Sequence, residues 1–132
     1  MNLIIGSHVS YNNKSQLLGS VKEALSYKAN TFMFYTGAPQ NTNRSVIEDS
    51  LTMEAYKLMK ENNIALEKVI VHAPYIVNLA NFNNFDFSVS FLINEVERCS
   101  TLGIKYLVLH PGSAVNCSRE EAINNISKGL NL

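Results

Sequence analysis

Three histidines, all that this chain contains, each close a short apolar run that turns at once into a loop. The runs are Leu3-Ile4-Ile5-Gly6-Ser7-His8, Val69-Ile70-Val71-His72 and Leu107-Val108-Leu109-His110, and two of them continue as His72-Ala73-Pro74 and His110-Pro111-Gly112. A Val/Ile/Leu run of this length reads as a buried strand, and the Pro or Gly behind it ends the strand. Imidazoles carried on the carboxyl ends of parallel strands are how a barrel builds a metal or acid–base site. One such histidine alone is better read as structural, but three at equivalent positions favour chemistry. His72 and His110 fall on neighbouring strands, so their Cα atoms can lie ~5 Å apart across the sheet. Two imidazoles at that distance can share a divalent ion, with zinc the usual choice for nitrogen ligands and carboxylates or water in its other positions.

The carboxylates limit that site. None of the eleven acidic residues ends a strand. Nearly all belong to helices or helix starts, and Glu67 sits at the amino end of the third strand, at the wrong mouth of a barrel. A catalytic zinc keeps about three protein ligands and an open position. The chain offers His72, His110 and, as a candidate third, His8; further ligands must come from other strands or another subunit.

The elements that position these residues alternate strand and helix four times. Residues 3–8 form the first strand, and Leu17, Leu18, Val21, Ala24 and Leu25 mark one face of the first helix. Thr31–Tyr35 is the second strand. The second helix starts near Asp49 or Ser50, turns Ala55, Leu58 and Met59 inward, and stops at Asn62-Asn63. The third strand spans about 67–72. The third helix runs from about Ser88 to Leu102 with Val89, Leu92, Val96, Cys99 and Leu102 inward, and Gly103 suits the position that follows a helix. The fourth strand spans about 105–110. Ser118-Arg119-Glu120-Glu121 is a capping-box start for a fourth helix that buries Ala122, Ile123, Ile126 and Leu130. Such alternation implies right-handed crossovers and a parallel sheet. The histidines, 64 and 38 positions apart, then fall on strands one, three and four at the same end. The fold class is α/β of TIM-barrel type, with residues 1–132 a single domain holding the first four β/α units. A complete (β/α)8 barrel takes ~250 residues, so the first and fourth strands are expected to be open edges. A longer natural polypeptide, a paired second copy or a truncated product would each account for that, in this order of preference.

Bulk composition excludes several classes. Apolar content of 46%, charge of 17% and zero net charge are those of an ordinary globular protein with one core. No basic run announces nucleic acid, so a polyanion partner needs a locally positive face. Cys99 and Cys117 lack zinc or redox spacing and suit a reducing cytoplasm. No apolar stretch approaches the ~18 residues of a membrane span, and the amino terminus shows no targeting segment. The expectation is a soluble cytoplasmic protein without a membrane partner.

Loops at the histidine-bearing mouth hold the remaining candidates. Gly37 to Arg44 is rich in amides, which together with Arg can bind phosphate or base edges; a solvated Asn/Gly/Pro loop is the plainer reading. Tyr75 and Ile76 can stack on or wedge between bases, or pack beneath their own loop. Asn81 to Phe85 reads as loop packing.

At these residues the sequence closely resembles the amino-terminal half of endonuclease IV, the zinc-dependent apurinic/apyrimidinic endonuclease family (deoxyribonuclease IV). The resemblance is carried by Gly6-Ser7-His8-Val9-Ser10, by Phe32-Met33-Phe34-Tyr35-Thr36-Gly37-Ala38-Pro39-Gln40-Asn41, by His72-Ala73-Pro74-Tyr75-Ile76-Val77-Asn78-Leu79, by Cys99 through Gly103, and by Leu107-Val108-Leu109-His110-Pro111-Gly112-Ser113. It runs along essentially the whole chain but about half of the family's length. The resemblance implies a TIM barrel with three zinc ions that hydrolyses the phosphodiester 5′ to abasic sites in double-stranded DNA, a base-excision repair reaction. By the same resemblance His72 and His110 match zinc ligands, while His8 matches an active-site histidine that is not a direct ligand. Gln40 and Asn41 match one DNA-penetrating loop, with Gln40 where some members carry arginine, and Tyr75 and Ile76 match the other. The family's bridging glutamate and its other zinc-binding residues lie beyond Leu132. The chain is therefore expected to hold at most part of one zinc site and to show little or no nuclease activity without the missing carboxy-terminal half, self-association being the other way to complete it. The competing readings are a metal-dependent sugar isomerase or epimerase on the same scaffold, and a non-catalytic half-barrel remnant.

Overall fold

The computed structural model describes residues 3–132. Four strands, β1 (Gly6–His8), β2 (Thr31–Phe34), β3 (Ile70–His72) and β4 (Tyr106–Val108), form one parallel sheet in the order β1-β2-β3-β4. Helices α1 (Gln16–Ser26), α2 (Asp49–Glu61), α3 (Phe85–Thr101) and α4 (Arg119–Leu130) alternate with them. Consecutive parallel strands joined by crossover helices place every strand end at the same mouth. The order leaves β1 and β4 as edges among the described residues, as the alternation led us to expect.

Local chemistry explains most element boundaries. Ser118 and Glu121 form the reciprocal capping box that opens α4. Gly103 adopts φ +63 after α3, and the Ile104 N–H reaches back to the Cys99 carbonyl in the manner of a glycine-ended helix. Asn63, at φ +56, does the same for α2 with Ile64 bonded to Met59. Strands are shorter than expected. Leu66–Lys68 forms a 3-10 turn before β3, and β4 stops at Val108, leaving His110 beyond the ladder.

Period-two alternation divides the sheet into two faces. Phe32, Phe34, Val69 and Val71 are buried towards the helices, against Leu17, Val21 and Ala24 of α1, Ala55 and Met59 of α2, and Cys99 and Leu102 of α3. A second cluster of Val77, Leu79, Val89, Phe91 and Leu92 seats α3 against the loop after β3, with Leu107, Leu109 and Ile126 packed on it. On the opposite face Ile4, Tyr106 and Val108 stand exposed, the surface a closed barrel would fill with side chains from its other strands.

Two helix faces differ from expectation. The inward stripe of α3 includes Glu95 and Arg98, while Val96 is 52% exposed beside the open cleft it shares with Cys99 and Leu107 near β4. On α4, Ala122 and Gly129 are buried, but Ile123 and Leu130 are exposed. Periodicity marks an apolar stripe, whereas burial needs a neighbour, and among the described residues none covers that flank of α4.

Candidate functional site

The strand ends bring four rings into one arc. His8 ends β1, and its ring centroid lies 4.7 Å from that of Tyr35 and 6.3 Å from that of His72. Tyr35 lies 5.0 Å from His72, and His72 lies 5.1 Å from His110. His72 and His110 are thus neighbours, but not directly across the sheet. The register partner of His72 is Val108, so His110 reaches it diagonally from two residues further on. Barrel strands tilt by about 36° to the axis, so residues at one height are staggered along neighbouring strands. The same offset brings Tyr35 beside His8, whose own partner is Met33.

Tyr35 is the site residue that motif reasoning passed over. Its signal was parity: it shares the Thr31–Met33 face of β2, opposite Phe32 and Phe34, and so must point where the histidines point.

Each imidazole has its own setting. The Nδ1 of His72 lies 2.7 Å from the Ala73 carbonyl oxygen. A carbonyl can only accept, so Nδ1 carries the proton and Nε2 presents its lone pair. A backbone acceptor on one ring nitrogen is the support that metal-binding histidines commonly have. His8 is held below the ordinary histidine pKa, first by partial burial and then by proximity to His72, against smaller opposing effects from the Val9 backbone and Glu23. Glu23, on α1, accepts from the Ser10 hydroxyl and from the Ser10 N–H at 2.9 Å, which together hold its carboxyl below the usual range.

The two histidine-bearing loops are latched together. Asn78 Nδ2 donates to the Ser113 carbonyl at 3.1 Å, Ser113 N–H donates to Asn78 Oδ1 at 3.2 Å, and Leu79 N–H donates to the Pro111 carbonyl at 3.1 Å. Gly112 adopts φ +122, and a Cβ there would meet Asn78 Oδ1 at 2.0 Å. The HPGS turn therefore requires its glycine both for conformation and for space.

The candidate DNA-contacting residues divide. Gln40 and Asn41 are exposed on the loop after β2. Tyr75 is 61% exposed, whereas Ile76 is half-buried and packs on the second core cluster. Arg44 is neither the solvated side chain of the plainer reading nor free for phosphate or a base. Its side chain is 6% exposed and its Nε donates to Glu95 Oε1 at 2.6 Å, so the guanidinium is committed inside the protein. A cleft of about 370 Å³ opens between His8, Ser10 and Tyr35 on one side and Gly37 to Pro39 on the other.

Two imidazoles stand side by side at the mouth, and no group of three or more His, Cys, Asp or Glu side chains that could hold an ion occurs among the described residues. The residues fit zinc as two of its ligands, with the Nε2 of His72 free to bind. Among those residues no helix is long and apolar enough to cross a membrane.

Four parallel β/α units with ring side chains gathered at the carboxyl ends of the strands define a TIM-barrel-type half barrel. The chain belongs to the xylose isomerase-like TIM barrel family, whose model matches residues 21–132. More narrowly, it is 56% identical over 131 residues to the probable endonuclease 4 of Acholeplasma laidlawii and 52% identical over 133 residues to that of Bacillus subtilis. Each alignment takes in 98% of this chain but 45% and 44% of those proteins. The crystal structure of endonuclease IV from Thermus thermophilus superimposes with a TM-score of 0.75 at 26% identity, over 96% of this chain and 46% of that one. The chain thus spans about half the length of the relatives it matches, and the likeness to the amino-terminal half of endonuclease IV is borne out.

Proposed function

We propose that residues 1–132 are one domain, the amino-terminal half of a zinc-dependent endonuclease that hydrolyses the phosphodiester 5′ to abasic sites in double-stranded DNA. The observation that carries this reading is the arc of His8, Tyr35, His72 and His110 at the mouth in a chain about half identical to probable endonuclease 4 proteins.

In this proposal His72 and His110 are zinc ligands. Zinc bound there supplies Lewis-acid polarisation of a phosphoryl oxygen. The Ala73 carbonyl holds the proton of the neutral His72 ring on Nδ1, so Nε2 is the nitrogen that would meet the ion. His8 lies one ring further from His110 and stays neutral over more of the pH range than a free histidine does; its role is to orient a polar group of the substrate. Gln40, Asn41 and Tyr75 meet the nucleic acid, with Tyr75 offering a stacking face and the two carboxamides offering hydrogen bonds. Ile76 then supports the Tyr75 turn from below and contributes an apolar edge. Selectivity for a gapped duplex rests on DNA shape and deformability, which asks for no large net positive charge. Free Cys99 and Cys117 suit the cytoplasm.

The remaining ligands belong to the other half of the barrel, which also covers the edges of β1 and β4 and the open inner face. The test is nicking of a duplex with one abasic site, in zinc, by this chain alone and by this chain mixed with the carboxy-terminal remainder of the Bacillus subtilis relative. The chain alone is expected to leave the duplex intact and the mixture to nick it. Robust metal-dependent nicking by the chain alone, or none by a mixture that forms a stable complex, would overturn the proposal.

A further inference from the structure

We infer that Glu95 is a positioning residue, which through Arg44 and Arg98 sets the shape of the 36–45 loop and so the presentation of Gln40 and Asn41; this rests on the nucleic-acid reading above. Glu95 is fully buried on α3. One carboxylate oxygen accepts from Arg44 Nε at 2.6 Å, and the other accepts from Thr36 Oγ1 at 2.7 Å. Arg98, 8% exposed, donates to Thr36 Oγ1 at 3.0 Å, to the Thr36 carbonyl at 2.9 Å and to the Ser45 carbonyl at 2.7 Å.

A second nitrogen of Arg44 goes to the loop itself, while its Nη2 is buried without a hydrogen-bond partner among the described residues. Its Nη1 contacts the carbonyls of Ala38, Asn41 and Asn43 at 3.3, 3.1 and 2.9 Å. The guanidinium also lies over the Phe91 ring at 4.8 Å, beneath the arch of the loop. Gly37 makes this possible, since a Cβ there would come within 2.8 Å of the Arg44 side chain.

A chain segment between strand and helix has no ladder to hold it. Among the described residues, the loop's internal backbone bonding is a single Asn41 N–H to Ala38 contact at 3.4 Å. Its carbonyls instead point inward at two cations, which obliges the side chains at its tip to point out. Gln16 fixes the far end, donating to the Val46 carbonyl at 2.8 Å and accepting from the Glu48 N–H at 2.9 Å. Asn41 Oδ1 accepts from the Asn43 N–H at 3.0 Å, which leaves its amide N–H groups facing outward for a ligand.

An ion pair kept only for stability could be replaced by apolar residues at no loss. Here Nη1 of Arg44 contacts three carbonyls of one loop, which no apolar side chain can do. Glu95 in turn holds that guanidinium in place from a helix beneath the loop.

The test is Glu95→Gln, near in shape and without charge, in the 132-residue chain. Hydrogen exchange of amides 38–45 is expected to quicken about tenfold while strand and α1 amides keep their protection. Binding to a duplex with one abasic site, read by fluorescence anisotropy, is expected to weaken about tenfold. Asn41→Ala should weaken binding in the parent chain and add nothing in the Glu95→Gln background. Unchanged loop exchange overturns the inference. So does a full, additive effect of Asn41→Ala in both backgrounds, which would mark Glu95 as structural only. If the parent chain does not distinguish the abasic duplex from an intact one, loop exchange alone decides the clamp, and the nucleic-acid reading is decided by the nicking test. Should Glu95→Gln not fold, Arg44→Met keeps the cover over Phe91, removes the donors and is read in the same way.

Discussion

Replacing Glu95 with alanine separates a buried counter-charge from a surface one. The carboxylate has no exposed surface, pairs with the buried Arg44 side chain and is linked to the buried Arg98 through the Thr36 hydroxyl. Its removal leaves the Arg44 guanidinium without its anion, and breaking a buried pair from one side costs about 3–5 kcal/mol. An exposed pair would cost at most ~1 kcal/mol. For a chain of 132 residues, ~2.1 cal/mol/K per residue gives an unfolding entropy of about 0.28 kcal/mol/K, so Tm should fall by roughly 11–18 °C. The assay is thermal unfolding followed by far-UV circular dichroism, with the parent chain alongside. A fall of less than about 4 °C, the equivalent of ~1 kcal/mol, would refute the reasoning. A triple replacement of Arg44, Glu95 and Arg98 by Met, Leu and Met should recover most of the loss. In that variant the 38–45 amides should remain fast to exchange, because stability returns and the carbonyl donors do not.

Three further outcomes follow from the site. Gly112→Ala forces a side chain into φ +122 against Asn78, and should cost about 1–3 kcal/mol in urea unfolding while loosening the latch between the two histidine-bearing loops. His72→Gln and His110→Gln should each weaken zinc binding by the complemented barrel, measured by equilibrium dialysis, by more than the roughly 10–100-fold that loss of a supporting hydrogen bond costs; an unchanged affinity for either would exclude that residue as a ligand. The Glu23 carboxyl is held below its ordinary pKa of 4.5, chiefly by the Ser10 hydroxyl and then by the Ser10 N–H. The folded state therefore binds that proton less tightly than the unfolded chain does, so the stabilisation is present above pH 4.5 and is lost as the pH falls through the lowered value. Ser10→Ala should destabilise the chain at neutral pH, with the gap from the parent closing in acid; a gap independent of pH would assign the effect to packing.

Much of the fold was legible because its signals are local. The strand-ending histidines, the Ser118–Glu121 box and Gly103 each act within a few residues of themselves, and the observed α1 and α2 faces follow the apolar period. Where the reading failed, the cause was a partner distant in sequence. Arg44 read as part of a solvated, amide-rich loop, with phosphate or base contact the alternative, yet it is bonded to Glu95, 51 residues away. Val96 fits an apolar stripe as well as its neighbours do. The helix nevertheless rotates Glu95 and Arg98 under the sheet, where the carbonyls of the 36–45 loop and Thr36 supply the hydrogen bonds that make burying charge tolerable.

What the sequence by itself determined is a set of four β/α units with a histidine at three strand ends, since strand period, turn residues and alternation suffice to place those residues at one mouth. The tertiary structure alone decided which rings meet. Strand tilt and register, properties of the whole sheet, put His110 diagonally beside His72 and brought Tyr35 between His8 and His72. It also decided that Arg44 shapes a loop from beneath, because burial and hydrogen-bond partners exist only once distant segments have packed together.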